Sequence, residues 1–176
     1  MQTRKPLRLS NYDYSQNGVY FVTACTKDKA HLLGSVVAGR VVLTACGRVV
    51  EEAVQAIPGV YPGVMLDHFV VMPNHIHLLV RLESGPPRCA APTDAACWPA
   101  RQAADEGTVG AGHWPARQTS LPKIISALKS LTTRRCGLPF WQRGYYDHII
   151  RDETDYLTRW NYIDTNPARW DGDEYA

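Results

Sequence analysis

Two histidines separated by one apolar residue, His75-Ile76-His77, lie within a mostly apolar run from Val70 to Val80. Such a run is typical of a β-strand, whose side chains alternate between the two faces of a sheet. Both imidazoles are therefore predicted to point to one side, with Ile76 on the other. Two imidazoles on one rigid strand are suited to holding a divalent metal ion. The spacing thus indicates a candidate metal-dependent enzyme.

A second polar group lies near the end of the chain, in a helix predicted from its N-cap at Asp152 to about Asn166, where Pro167 ends it. On a wheel of about 100° per residue, the predicted buried face contains Tyr156, Leu157, Trp160 and Ile163. The predicted opposite face contains Asp155, Arg159, Tyr162 and Asn166. A tyrosine hydroxyl can be a nucleophile, and an amide oxygen one turn away can help bind a metal. An aromatic residue on a polar face can equally be an ordinary amphipathic surface residue.

The elements that must position these residues are predicted, in order, as strand, helix, strand, strand, helix, strand and helix. Their predicted bounds are 18–26, 43–57, 64–72, 75–82, 120–135, 146–150 and 152–166. The first six elements have the order of the α+β, ferredoxin-like split βαβ fold. That fold has a four-stranded antiparallel sheet with two helices on one face. The last helix is extra and carries the tyrosine; if it lies across the sheet, Tyr162 and Asn166 face the two histidines.

Length and composition favour one ordinary globular domain over residues 1–176, with 45% apolar and 20% charged residues. Residues 84–119 differ, because half of them are Ala, Pro or Gly and a Trp-Pro-Ala-Arg-Gln pentapeptide occurs twice. This segment is predicted to be an inserted, mobile loop. Five cysteines without a CxxC pair favour reduced thiols over a disulfide framework. No signal sequence or membrane span is expected.

Basic residues gather in one part of a chain whose net charge is only +2. This distribution is compatible either with a phosphate-facing surface or with an ordinary solvated face. The candidates for phosphate contacts are Lys123, Lys129, Arg134, Arg135 and Arg143. Tyr145 and Trp141 could stack on unpaired bases, although core packing explains either ring as well. His68 and His148 are expected to pack or form hydrogen bonds, and Asp67 is a possible neighbour of the site.

Three segments together resemble a known family. They are the runs 72–79 (Met-Pro-Asn-His-Ile-His-Leu-Leu), 141–151 (Trp-Gln-Arg-Gly-Tyr-Tyr-Asp-His-Ile-Ile-Arg) and 161–167 (Asn-Tyr-Ile-Asp-Thr-Asn-Pro). In this order they resemble the single-tyrosine HUH transposases, in which two histidines flank a hydrophobic residue. The resemblance is strongest to the REP-associated tyrosine transposases, and it covers most of the chain outside residues 84–119.

The resemblance implies nicking and joining of single-stranded DNA at hairpin or palindromic repeat elements. It implies that His75 and His77 bind Mg²⁺ or Mn²⁺ and that Tyr162 forms a 5′-phosphotyrosine. Asn166 stands where the insertion-sequence branch of these enzymes has a glutamine ligand, and its side chain is one methylene shorter. The resemblance further implies a monomer or homodimer that acts at the nucleoid in the bacterial cytoplasm.

Two other functions fit parts of the pattern. A catalytically inactive protein that binds nucleic-acid hairpins would need the basic helix, but would not need the histidines, Tyr162 and Asn166 together. A hydrolytic metal phosphodiesterase would use the two histidines and a water molecule. It would leave free 5′-phosphate ends and no protein adduct.

Overall fold

The structure, a computed structural model, describes residues 12–83 and 119–172. The predicted insertion at 84–119 therefore lies, except for Thr119, outside the described residues. The strands are β1 (Gly18–Cys25), β2 (Gly34–Val37), β3 (Arg40–Leu43), β4 (Val64–Val71), β5 (His75–Leu82) and β6 (Tyr146–Ile150). The helices are α1 (Ala45–Gln55), α2 (Ile57–Val60), α3 (Leu121–Cys136) and α4 (Glu153–Thr165), with 3-10 turns at Lys27–Lys29 and Pro167–Gly172.

Four strands form one antiparallel sheet in the order β4-β5-β1-β6. The short turn after β4 makes β4 and β5 a hairpin, and β1 lies between β5 and β6. This order, with α1 between β1 and β4 and α3 between β5 and β6, is the ferredoxin-like arrangement. The predicted fold class is therefore confirmed.

Strands β2 and β3 form a separate two-stranded hairpin that the sequence analysis did not predict. Its turn residues Ala38 and Gly39 both have positive φ, at 49° and 72°, as a tight hairpin turn of the I′ type requires. Leu43, predicted as the first helical residue, ends β3 instead. Helix α1 begins one residue after its N-cap, Thr44, whose side chain accepts a hydrogen bond from the backbone N–H of Gly47.

The main core lies between one face of the sheet and helices α1 and α3. It contains the β5 residues Ile76, Leu78 and Val80 together with Val50 and Val54 of α1. Helix α3 adds Leu121, Ile124, Ile125 and Leu128 to the same core. Leu131 of this helix is exposed, whereas its neighbour Thr132 is buried.

Cys46 of α1 and Cys136 at the end of α3 form a disulfide, with 5.6 Å between their Cα atoms. The expectation of reduced thiols was wrong for this pair. The two residues are 90 positions apart in sequence, so no local motif marks them as partners. They meet because α1 and α3 pack side by side on the sheet, and a Cα separation of this size suits a disulfide.

Helix α4 packs on the opposite face of the sheet from α1 and α3. There Tyr156 and Ile163 of α4 contact a second cluster that contains Phe21 of β1, Leu79 of β5 and Ile150 of β6. The sheet therefore has one face covered by two helices and another face covered by the helix that carries Tyr162.

Candidate active site

The two histidines of β5 point toward α4, as the alternation of the strand predicts. Both side chains are fully buried, and their ring centres are 4.5 Å apart. Between them, Ile76 points into the main core on the other face of the sheet. The strand thus fixes two imidazoles side by side beneath α4.

Each imidazole is held by a hydrogen bond at Nδ1. The Nδ1 atom of His77 is 2.8 Å from Oγ1 of Thr23, its register partner on β1. The Nδ1–H of His75 donates to Oδ1 of Asn74, also at 2.8 Å. A proton on Nδ1 places the lone pair of a neutral ring on Nε2. Because the Nδ1 atom of each ring is already hydrogen-bonded, the buried Nε2 atoms are the ones through which these rings could bind a metal.

Burial lowers the pKa of His77 well below its ordinary value, and electrostatic interactions with His75 and Arg159 lower it further. The ring is therefore neutral at physiological pH, and the neutral ring is the form that acts as a metal ligand.

Tyr162 of α4 lies directly beside the histidine pair. Its ring centre is 5.1 Å from that of His77 and 6.0 Å from that of Phe21, with both rings meeting it edge to face. The phenol is half-buried. One chain therefore brings the predicted nucleophile to the predicted metal-binding strand without a contribution from a second copy.

Asn166 is the C-cap of α4 and is only 1% exposed, so it does not lie on a solvent-facing side of the helix. Leu157, predicted on the buried side, is 48% exposed. The side of α4 that faces the sheet thus includes Tyr156 and Ile163 of one predicted face and Asn166 of the other. These two predictions of burial were wrong, because the wheel shows angular spacing but not the orientation of the helix on the sheet.

The 3-10 turn after α4 folds back over the site. The ring of Trp170 stacks near His75, with 6.1 Å between ring centres and an interplanar angle of 25°. Trp170 also meets His31 edge to face at 5.4 Å. Trp170, Thr23 and Asn74 were not predicted at this site. The place of Thr23 depends on the register of β1 against β5, and that of Trp170 depends on the fold-back of the turn after α4.

A β-bulge in β4 helps to anchor α4. The register shifts between Leu66 and His68, which places Asp67 and His68 consecutively toward α4. Asp67 binds Arg81 of β5 at 2.6 Å and accepts a hydrogen bond from the hydroxyl of Tyr156 at 3.1 Å. Asp67 is thus engaged in an ion pair beside the site.

Two other histidines connect α4 to the sheet through hydrogen bonds. His68 bonds to Asp164 at 2.8 Å and stacks on Trp160 at 4.3 Å. His148 of β6 bonds to Asp155 at 2.7 Å. Both form hydrogen bonds rather than join the histidine pair, in agreement with what the sequence analysis expected of them.

The candidates for DNA contacts are spread over different parts of the surface. Lys123, Arg134 and Arg143 are exposed, and the first two lie on α3, on the sheet face opposite the site. Arg135 is also exposed but pairs with Glu52 of α1 at 2.6 Å. Tyr145 is buried in the main core, which leaves no room for a base to stack on its ring.

Lys129 joins α3 to the segment before β6. Its ammonium donates to the carbonyl oxygens of Gln142, at 3.0 Å, and of Gly144. It also lies 5.7 Å from the ring centre of Trp141, whose indole N–H donates to Thr132 at 2.8 Å. Both Lys129 and Trp141 therefore hold the structure together at this position.

The residues at the site suit a divalent ion. Within residues 12–83 and 119–172, no group of three or more His, Cys, Asp or Glu side chains is arranged to hold a metal. The candidate set consists instead of two imidazoles and one amide, and the Nε2 atoms of His75 and His77 and the Oδ1 atom of Asn166 are all buried. Mixed nitrogen and oxygen donors of this kind suit Mn²⁺ or Mg²⁺.

The fold agrees with that of a solved structure. The structure of a REP-associated tyrosine transposase bound to a REP hairpin matches with a TM-score of 0.60 at 20% identity, covering 93% of this chain and 73% of that one. The two proteins share one fold, which confirms the family resemblance at the level of the fold. No family model matches the chain.

A relative is also found by sequence. An uncharacterized protein of Haemophilus influenzae is 33% identical over 174 residues, which make up 97% of this chain and 92% of the relative. The chain belongs to the family of that protein. Across the described part of the chain, no helix has the length and apolar character that crossing a membrane requires.

Proposed function

We propose that this protein is a metal-dependent transposase of the single-tyrosine HUH type, which nicks and joins single-stranded DNA. The observation that carries the proposal is the 5.1 Å separation between the rings of Tyr162 and His77, residues that lie on different elements far apart in sequence. The fold shared with a REP-associated tyrosine transposase supports the same class.

The ligands in this proposal are His75, His77 and Asn166, and the ion is Mg²⁺ or Mn²⁺. A bound divalent ion supplies charge withdrawal from the scissile phosphate and helps to align it for attack. Thr23 and Asn74 fix the two imidazoles in the orientation that presents Nε2. The burial of both rings excludes bulk water from the ligands.

The hydroxyl oxygen of Tyr162 is the nucleophile in this proposal. It forms a bond to phosphorus, the bond from phosphorus to the 3′-oxygen breaks, and the phenolic proton passes through solvent to the departing 3′-oxygen. The products are a 5′-phosphotyrosine and a free 3′-hydroxyl. Because the phosphodiester energy is kept in the adduct, a second 3′-hydroxyl can attack it and join two strands without an external energy source.

The proposed substrate is single-stranded DNA that contains a hairpin. The neighbouring solved protein is bound to a REP hairpin, and we extend that class of ligand to this chain. A transposase with this substrate would act at the nucleoid in the bacterial cytoplasm. As one chain places Tyr162 beside its own His77, the proposal requires no partner subunit for the chemistry and allows a monomer or a homodimer.

The test uses an oligonucleotide with an imperfect hairpin, flanked by randomised tetranucleotides and labelled at its 3′ end. With Mn²⁺, the purified protein should become covalently attached to the labelled fragment, and Tyr162→Phe should not. Tyr156→Phe is the matched control, since this tyrosine packs in the second cluster and bonds to Asp67, and it should keep the adduct.

Each rival function has its own outcome in this experiment. Binding of the hairpins without any cut strand would favour the inactive binding protein. Cut strands with free 5′-phosphate ends and no adduct would favour the hydrolytic phosphodiesterase. An adduct that persists in Tyr162→Phe would show that the nucleophile is a different residue.

A further inference from the structure

Arg159 lies on α4 one turn before Tyr162, on the side of the helix that faces the sheet. Its side chain is 31% exposed, so it is partly accessible to solvent. The carbon at the centre of the guanidinium is 5.4 Å from the ring centre of Phe21. This is the distance of a cation–π contact, which holds the group against the sheet.

Phe21 connects Arg159 to the reacting residues. The same ring stacks on His77 with 5.1 Å between centres and 22° between planes, and it meets Tyr162 edge to face at 6.0 Å. The positive charge of Arg159 therefore lies beside the ring of Phe21, which contacts both the proposed nucleophile and a proposed metal ligand.

Asp155 and His148 fix the direction of the guanidinium. One carboxylate oxygen of Asp155 is 3.4 Å from Nε of Arg159, and the other is 2.7 Å from Nε2 of His148. Because His148 is the register partner of Phe21 on β6, the sheet itself sets the position of Asp155. The ion pair is long and partly exposed, so it orients Nε while the two terminal nitrogens can serve an anionic ligand.

Arg81, a second arginine on this face of the sheet, forms a different kind of ion pair. Its Nε and a terminal nitrogen both bond to Asp67, at 3.1 Å and 2.6 Å, and both side chains are largely buried. Such a closed, bidentate pair is structural. The contrast between a closed pair at Arg81 and a loose pair at Arg159 indicates a ligand-binding role for the latter.

We propose that Arg159 binds a phosphate group of the DNA strand beside Tyr162, and that Asp155 and His148 are positioning residues for its guanidinium. The inference rests on the proposed function. Arginine matches phosphate through two parallel N–H donors, and a phosphoryl transfer gains from a cation next to the oxygens on which charge is spread.

The first experiment measures binding without cleavage. In a Tyr162→Phe background, the affinity for the hairpin oligonucleotide is measured against salt concentration. Arg159→Met should weaken binding and reduce the slope of log K against log salt by about 0.7, the value for one phosphate contact on a single strand. Arg48→Met, an exposed arginine on α1 across the sheet, changes the net charge equally and should leave the slope unchanged.

The second experiment measures the rate of adduct formation in the wild-type background at saturating DNA. Arg159→Met should slow the reaction by about 100-fold, the effect of removing one donor to a developing charge. Arg159→Lys, which keeps the charge, should recover part of that rate. Asp155→Asn should slow the reaction by about tenfold and leave the salt slope intact, because the cation remains but is less well oriented.

The two experiments separate this inference from the proposed function. If the wild-type protein forms the adduct while Arg159→Met matches Arg48→Met in slope and rate, the phosphate contact is refuted and the transposase proposal stands. If no adduct forms under any condition while the salt slope still falls, the phosphate contact stands and the chemistry does not. Thermal unfolding of Arg159→Lys and Arg159→Met confirms that each measured protein is folded.

Discussion

The histidine pair shows how neighbours of a ligand determine what it can do. His75 and His77 are buried side by side, and different residues hold their Nδ1 atoms: Asn74 for the first and Thr23 for the second. Each partner holds the orientation of its ring, and the amide oxygen of Asn74, which can only accept, also fixes a proton on Nδ1 of His75. Loss of such a residue typically weakens metal affinity by about 10-fold to 100-fold.

Thr23→Val tests this role with little change in shape. The substitution removes the hydroxyl bonded to His77 and keeps a branched side chain at a buried position of β1. We expect Mn²⁺ affinity to fall by about tenfold or more, because the ring loses its orienting partner. Titration calorimetry of the purified variant with Mn²⁺ measures the change.

Thr132→Val is the matched control for this prediction. Thr132 is also buried, and its hydroxyl bonds to the indole of Trp141 and to a carbonyl of α3. The variant should lose about 1 kcal/mol or more of stability and keep the Mn²⁺ affinity of the wild type. Equal losses of Mn²⁺ affinity in the two variants would contradict the assigned role of Thr23.

At the scale of single residues, the sequence was enough to identify the two histidines but not the residues that hydrogen-bond to them. The alternation of β5 was enough to place His75 and His77 on one face. Thr23 is their neighbour only because β1 pairs with β5 in a register that puts Thr23 opposite His77, and nothing local in the sequence specifies that register. Asn74, adjacent to His75, could have been proposed from the turn chemistry of Pro73-Asn74.

Helix α4 is held on the sheet by polar contacts as well as by apolar ones. Its ion pairs and hydrogen bonds join it to β4 through Asp164, to β6 through Asp155 and to the Arg81–Asp67 pair through Tyr156. This explains why an amphipathic wheel misplaced the helix. Polar residues here face the sheet, so polarity did not mark the solvent side.

Arg81→Met tests how strongly the buried pair stabilises this docking. The substitution leaves the carboxylate of Asp67, whose side chain is 8% exposed, without its cation. Removing one partner of a buried ion pair costs about 3–5 kcal/mol. Urea unfolding of the variant should show a decrease of that size in the free energy of unfolding.

The double variant Asp67→Leu with Arg81→Met is the informative comparison, because it removes both charges together. It should regain much of the stability lost in the single variant, since apolar replacements of a buried pair are often close to neutral. A single variant within about 1 kcal/mol of the wild type would show that the pair behaves like an exposed one.

At the scale of the whole molecule, the sheet lies between the main core and the candidate active site. Helices α1 and α3 and the disulfide lie on one face, whereas α4, Tyr162 and the histidine pair lie on the other. The order of elements was sufficient to predict this sheet, because short connections and alternating strands leave few topologies. The β2–β3 hairpin escaped prediction because its strands are only four residues long and adjoin α1 directly.

The disulfide provides a test at the scale of the whole molecule. Cys46 and Cys136 close a loop of 90 residues, and such a cross-link stabilises the folded state by about 4.6 kcal/mol in the chain-entropy model. Reduction, or the double variant Cys46→Ser with Cys136→Ser, should lower the free energy of urea unfolding by roughly that amount. Because the bond lies across the sheet from Tyr162, adduct formation by the folded, reduced protein should keep its rate.

A thiol titration that finds both cysteines reactive in the untreated native protein would contradict the pairing. A large loss of rate on reduction would show that the two faces of the sheet are coupled.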